Sequence, residues 1–522
     1  MSSGDTPSGT QVAGGHDEKD AADLARFGYK QELKRGLGLF SSFAVAFSYI
    51  SPSTGIFTLF ALGLVTLGGV FIWTWPVVAL GQFIIALNFA EISSHYPVAG
   101  SVFQWTKYLA NRSYSWLTGW IYLFAGIITV AAVVATLPLA LIPALNGLGW
   151  HSLNAASLHT QLVVALITLV VITVLNIYGV RLVAIINNTG VLFEILGMFV
   201  FAIVLMAFHN HQGFHILRNS GGLHVGANTF LIAMFMSLFV IYGFDTASTL
   251  AEETRNPRRA APKAVLFSVI GAFIIGGVFL LGCLMAIPNL HTAITGNAGL
   301  GWSPANIIQA NFSSAFATLY LFVVSAAIFV CCLSIMAATI RLTFGMARDN
   351  QLPLSKPLAR VSPALHTPVW TCITVAVIAA IPFIQFTGAG IIAIAATAMI
   401  YLSYFLGNLA ILRDRLRGWP RTSAPFRLGG WGLVVNIIGL IYGGTMLVNF
   451  AWPRPQSNPT PKQEGLLLNF HMGWLNGIPI LWTVLIFILI VGTLYYLITG
   501  RSKEFAPVIA PAGEPAQAGG AA

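Results

Sequence analysis

Two carboxylic acids, Asp245 and Glu194, lie well inside apolar stretches of this chain, out of 16 acidic residues in all. An ionisable group near the centre of a bilayer costs roughly 3 kcal/mol on insertion scales, so each needs a cation to hold, a proton to carry or a backbone group to cap. Asp245 follows Tyr242, Gly243 and Phe244 and directly precedes Thr246, Ala247 and Ser248. It can cap the helix that would start there, or it can bind the positive part of a solute or a proton as well. Far upstream, Ser51, Pro52, Ser53, Thr54 and Gly55, followed by Ile56, interrupt another apolar stretch. Backbone unwound in hydrocarbon costs several kcal/mol per bare N–H or C=O unless protein, ligand or cavity water satisfies it. Two such interruptions point to a solute site at mid-membrane. A packed proline kink is the plainer alternative at Pro52.

The elements that carry these residues are long apolar helices. The 522 residues are 57% hydrophobic and 8% charged, too apolar for a soluble multidomain protein. Twelve runs of membrane-spanning length are legible. They lie near 39–64, 67–90, 114–141, 161–179, 188–208, 229–254, 264–287, 313–340, 369–386, 389–412, 430–450 and 477–499. The predicted class is an all-α polytopic membrane protein. The interrupted helices are the first and the sixth, and an offset of five makes them antiparallel. Helices 1 to 5 and 6 to 10 then form inverted repeats whose breaks meet at the midplane, with helices 11 and 12 added. The outer half of helix 1 would present free N–H groups near Ser53 to Gly55, suited to a carboxylate. The outer half of helix 6 would end in free carbonyls near Tyr242 and Gly243, suited to an ammonium.

The formal charge of +10 records topology and not a nucleic-acid surface. With both termini cytoplasmic, only three of the 26 Lys and Arg residues, Arg218, Arg454 and Lys462, fall outside. The expected organisation is a disordered tail over 1–25, a first repeat over 26–208, a second over 209–429, helices 11 and 12 over 430–500, and a disordered tail over 501–522. No short apolar core with a small-residue cleavage site precedes the first helix, so no cleavable signal is expected. Cys283, Cys331, Cys332 and Cys372 all fall in apolar runs and read as packing residues, with no disulfide or metal framework.

Four segments carry a family likeness. FGYKQELKRGLGLFSSFAVAFSYISPSTGIF (Phe27 to Phe57), AEISSHYPVAGSVFQW (Ala90 to Trp105), YGFDTASTLAEETRNPRRAAPKA (Tyr242 to Ala264) and RLTFGMARDNQLP (Arg341 to Pro353) resemble a first helix, the loop after helix 2, helix 6 with its following loop, and the end of helix 8. The family they resemble is the amino acid-polyamine-organocation superfamily, in the branch of amino acid, GABA and choline permeases. The resemblance implies that relatives often carry a carboxylate at the position of Asp245. It also sets GVRLVAIINNTGVLFE at the start of helix 5, with Glu194 where some proton-coupled relatives carry a buried lysine in place of sodium. Many relatives have Gly-x-Gly at the helix 1 break, where this chain has Ser53, Thr54 and Gly55, so it offers more hydroxyl and less bare backbone.

Glu194 lies six residues past Asn188, hence about 9 Å into the membrane from the inner face. It is a candidate proton carrier, since burial favours the neutral form of an acid; the alternative is a neutral carboxyl bonded within the bundle. Tyr242 and Phe244 would line or lid the pocket. Ser325, Ser334 and Thr339 could face the coupling site, although such hydroxyls usually bond their own backbone. Glu252, Glu253 and Arg255, with Arg258 and Arg259, would build an inner gate of ion pairs or a solvated loop. His209, His211, His215 and His224 share one outer loop without a ligand-set spacing, and no metal is expected. No phosphate-binding loop occurs, so no cofactor is implied and an ion gradient must supply the energy. The reading is a secondary transporter in the plasma membrane importing an amino acid or small amine, coupled to protons in preference to sodium. The rivals are a sensor of the same build and a membrane enzyme using the two acids. Neither the substrate nor the oligomeric state is legible.

Overall fold

The computed structural model describes residues 20, 24–25, 38–452 except 151, 152, 179, 250, 366 and 387, and 480–500. No strand occurs among them. The main helices are α1 (Leu39–Ile50), α2 (Pro52–Leu67), α3 (Thr74–His95), α4 (Ser101–Leu109), α5 (Arg112–Gly147), α6 (Leu158–Tyr178), α7 (Val180–Phe208), α8 (Ala227–Val240), α9 (Pro257–Met285), α10 (Ser314–Arg348), α11 (Val369–Ala379), α12 (Ala389–Arg415), α13 (Gly432–Ala451) and α14 (Ile480–Tyr495). Nine helical segments among the described residues are long and apolar enough to cross a membrane, and Val369–Ile384 and Val484–Ile498 are shorter apolar helices. The chain is a multi-pass membrane protein. Its outward side chains agree: Val170 on α6 and Phe193 and Leu196 on α7 are exposed, as lipid-facing groups are.

The first segment runs unbroken by any loop from Leu39 to His95, because a 3₁₀ stretch, Gly68–Trp73, joins α2 to α3. Within it the backbone leaves helical geometry at Gly68, with φ 59°, where α2 ends, and earlier at Ser51. The Ser51 N–H closes α1 on the Phe47 carbonyl at 2.8 Å, and Ser51 then turns left-handed with φ 36°. Such a conformation at a serine costs on the order of 1–3 kcal/mol. Pro52 restarts the helix at the position where its missing N–H is no loss and its φ is already helical.

The second break differs from the sequence reading of one interrupted helix over 229–254. After α8, Gly243 takes φ 91°, and the chain continues as 3₁₀ turns, Phe244–Ser248 and Ala251–Glu253. Thr246 explains the tighter winding, because both its N–H (3.1 Å) and its hydroxyl (2.5 Å) donate to the Gly243 carbonyl three residues back. Glycine is required at 243 by conformation and by space: a Cβ there would lie 2.0 Å from Cδ1 of Tyr49.

Packing brings the two breaks into the centre of the bundle. α1 lies against α7 and α9, α2 against α8, and α5 against α10 and α12. Of the segment 90–105, read as a loop, residues 90–95 complete α3 and Ser101 starts α4, both buried. Asp20, in a stretch read as a disordered tail, is also buried, and its carboxylate accepts the Asn256 N–H at 2.8 Å just before α9. Leu24 is buried as well, and residues 1–19 and 21–23, the tail 501–522, and Arg454 and Lys462 lie outside the described residues.

Candidate functional site

Ser51, Ser53, Thr54, Gly55 and Ile56 at the first break are all buried. Two of the three N–H groups expected to be bare, those of Ser53 and Gly55, are taken up within the protein. That of Gly55 donates to the Ser51 carbonyl at 3.2 Å, and that of Ser53 donates to Glu194 Oε1 at 3.3 Å. Glu194, on α7, also accepts the hydroxyls of Ser51 (2.7 Å) and Ser53 (2.6 Å) on the same oxygen. Its other oxygen, Oε2, is buried without a hydrogen-bond partner among the described residues. A carboxyl of the protein therefore sits at the positive end of α2, where the sequence analysis set a solute's carboxylate. A Cβ at Gly55 would meet Val240 Cγ2 at 2.4 Å and Val240 Cα at 3.1 Å, so this glycine lets α2 and α8 touch.

At the second break Asp245 is fully buried, and its carboxylate accepts three hydroxyls. Ser101 and Tyr122 donate to Oδ2 and Tyr404 donates to Oδ1. It caps no helix through its side chain, which corrects the capping alternative: Gly243 occupies the cap position of the 3₁₀ turn. The Gly243 carbonyl, expected to be free for a cation, accepts from Thr246, and the Gly243 N–H donates to the Tyr404 hydroxyl at 2.9 Å. Aromatic rings crowd this carboxylate. Tyr242 meets Tyr49 edge-on at 6.3 Å, and Phe244 lies 5.2 Å from Tyr404. A carboxylate ringed by hydroxyls and aromatic faces is a chemically fit receptor for an ammonium.

The end of the bundle that carries Glu252 and Glu253 is laced with ion pairs, with different partners from those read in the sequence. Glu253 pairs with Arg341 at 3.0 Å and Glu252 with Arg348 at 3.7 Å, both arginines on α10. Arg255 is exposed, and Arg258 donates to backbone carbonyls of Ser94 and Ser423. Lys107 pairs with Asp349 at 2.8 Å, and Arg415 with Glu91, which is fully buried and also accepts the Leu428 N–H at 2.9 Å. Ser325 and Thr339 bond the backbone one turn back, while Ser334 Oγ is buried without a partner among the described residues. His211 bonds Asn311 at 2.8 Å, and no group of three metal-ligating side chains occurs among the described residues.

Sequence reasoning missed Ser101, Tyr122, Tyr404 and Glu91. A serine, two tyrosines in apolar helices and a glutamate near a helix end look like packing and interface residues. Only the glycine before Ser101 hinted at a sharp turn.

The amino acid permease family model matches residues 37–475. Among individual proteins, the chain is 26% identical over 503 residues to the amino-acid permease BAT1 homolog of Oryza sativa, covering 90% of this chain and 96% of that one. It is 28% identical over 359 residues to the branched-chain amino acid permease BcaP of Bacillus subtilis, covering 65% and 72%. To the GABA-specific permease of Saccharomyces cerevisiae it is 25% identical over 371 residues, covering 68% and 64%.

Proposed function

Because the chain belongs to the amino acid permease family, and is thus a transporter and not an enzyme, we propose that it is a secondary active importer of an amino acid or related small amine. Substrate enters with a proton by alternating access in the plasma membrane, with both termini cytoplasmic. The observation that carries this reading is the pair of buried carboxyls at two helix breaks, Glu194 bonded to Ser51 and Ser53, and Asp245 bonded to Ser101, Tyr122 and Tyr404. Buried acids at unwound backbone are what coupled solute and proton binding needs.

In this reading the fold is twelve spans, with a five-plus-five inverted repeat over 26–208 and 209–429 and two further helices over 430–500. Asp245 takes the substrate's ammonium, with Tyr242, Gly243, Phe244 and Thr246 around it. Ser51, Ser53, Thr54, Gly55 and Ile56 form the carboxylate side, and Glu194 carries the proton. Glu252 and Glu253 with Arg348 and Arg341 close the inner gate. The relatives' substrates, branched-chain amino acids and GABA by name, supply the first compounds to try. Uptake into proteoliposomes over a panel of amino acids and amines, with and without an inward proton gradient, tests the proposal. Failure to concentrate any panel member would remove it.

A further inference from the structure

A substrate with a carboxylate meets an obstacle here. Three donors suited to that carboxylate, the hydroxyls of Ser51 and Ser53 and the Ser53 N–H, converge on Glu194 Oε1 at 2.7, 2.6 and 3.3 Å. α2 is 16 residues long, so its positive end is a full helix terminus, and Glu194 already occupies it. Two anions cannot share three donors in a buried site, because the second would be unpaired and repelled by the first. Glu194 Oε2 meanwhile has no hydrogen-bond partner among the described residues, although Glu194 is only 2% exposed. One oxygen is saturated and the other is left for something that arrives.

On the reading that this is a proton-coupled amino acid importer, we infer that Glu194 is an internal stand-in for the substrate's carboxylate. Ionised, it fills the anion site at Ser51, Ser53 and the start of α2. With a proton from the outer solution on Oε2 it is neutral, its hold on the three donors weakens, and the substrate's carboxylate takes them. Proton binding then precedes and permits substrate binding, and return of the proton to the inner solution restores the glutamate to the serines and expels the carboxylate. Coupling arises from competition for one site.

The surroundings of Glu194 leave this role to it. The elements packed on α7 are α1, α6, α9 and α10. α1 and the start of α2 bring the hydroxyls of Ser51, Ser53 and Thr54; α9 brings Cys283, which lies beside Tyr320, and α10 brings Tyr320 and Cys331, both within electrostatic reach of Glu194. Farther along, α9 carries Arg258, Arg259 and Lys263 at its inner start, and α10 carries Arg341 and Arg348, paired with Glu253 and Glu252. α6 holds no Asp, Glu, Lys, Arg or Cys, only His159 and Tyr178 at its two ends. No basic side chain is among the hydrogen-bond partners of Glu194 among the described residues. Among the described residues no cation is bonded to it that would fix its charge, as a switch requires.

The test counts protons. The full chain in lipid nanodiscs is titrated by calorimetry with the amino acids and γ-aminobutyrate, and with the decarboxylated amine of each, in buffers of different ionisation enthalpy. At alkaline pH the parent should take up one proton per carboxylate ligand bound, with affinity falling roughly tenfold per pH unit. The amines should bind without that uptake. Glu194→Gln should bind carboxylate ligands with no proton uptake and no pH dependence. Glu194→Asp, shorter by one methylene and so withdrawn from the serines, should bind them more tightly than the parent at alkaline pH, which keeps the test open if the Gln variant misfolds. Absence of proton uptake in the parent, its persistence in Glu194→Gln, or equal uptake with the amines overturns the inference. A parent that binds amines and no carboxylate overturns it while leaving the transport reading standing; one that binds neither class overturns both.

Discussion

Ser53 gives Glu194 both its hydroxyl, at 2.6 Å, and its backbone N–H, at 3.3 Å, across a separation of 141 residues. The bond ties α7 to the first turn of α2, just past the left-handed Ser51. A charged acceptor at a helix start is worth about 0.5–2 kcal/mol in ordinary capping. Here the same contact joins the candidate coupling residue to the candidate substrate site, so the chemistry of one is felt directly at the other.

Transport by Glu194→Gln should separate movement from accumulation. The amide keeps the shape and can still accept from the serines, but it carries no titratable proton. Exchange of labelled substrate between the two sides of a proteoliposome should continue, while uptake driven by a pH step should fall to the level of passive equilibration. A variant that still concentrates substrate as well as the parent would move the proton to another group, Asp245 first.

Asp245→Asn tests whether the charge within the hydroxyl cage is used. Hydrogen bonds to charged groups are worth about 1.5–3 kcal/mol, so loss of the charge should weaken binding of an amine-bearing substrate by roughly tenfold or more. Asp245→Ala should be worse, since it also leaves the Ser101, Tyr122 and Tyr404 hydroxyls in a buried space without their acceptor. Full affinity in the Asn variant would make the carboxylate a structural anchor only.

Gly55→Val should abolish uptake by prying α2 from α8. A Cβ at 55 meets Val240 Cγ2 at 2.4 Å and its backbone Cα at 3.1 Å, and the second contact has no flexible end to yield. Overpacking of this kind typically costs about 1–3 kcal/mol. Gly55→Ala alone should impair uptake mildly, and pairing it with Val240→Ala should restore part of the loss. No recovery in the double variant, with normal membrane insertion, would mean that position 55 meets substrate and not Val240.

The inner ion pairs should differ sharply in what they contribute. Arg415 and Glu91 have side chains 5% and 0% exposed, and removing one partner of such a pair strands the other, at about 3–5 kcal/mol. Arg341 and Glu253, at 22% and 12%, are somewhat better solvated, so breaking them should cost less. Arg415→Met should therefore lower thermal stability in detergent well beyond Arg341→Met, whereas Arg341→Met should chiefly change the rate of substrate release on the inner side. Equal losses of stability from both would remove the distinction.

Much of this arrangement was legible because the membrane makes every departure from hydrocarbon conspicuous. Pro52 among serines, Gly243, and two acids in apolar runs stand out for one physical reason: each is expensive there without a partner. What sequence could not supply was the partner. Glu194 and Ser53 are joined by packing of α7 on α1 and α2, and local pattern says nothing about contacts at such separation. Tyr122 and Tyr404 were illegible because a phenol in an apolar helix serves equally as bulk. The gate pairing failed for a related reason: Arg255 is nearest to Glu252 and Glu253 in sequence, but the left-handed Asn256 and the helix start at Pro257 leave it exposed, while α10 delivers Arg341 and Arg348.

Tyr404 has one oxygen and two duties: it donates to Asp245 and accepts the Gly243 N–H at 2.9 Å. Both bonds run from α12 to the same broken stretch, one to its side chain and one to its backbone. A withdrawal of α12 from that stretch lengthens both, so the acid and the amide are let go in a single event. The latch has two bolts on one spindle, and its release is all-or-none where two separate residues would have allowed it to open by degrees.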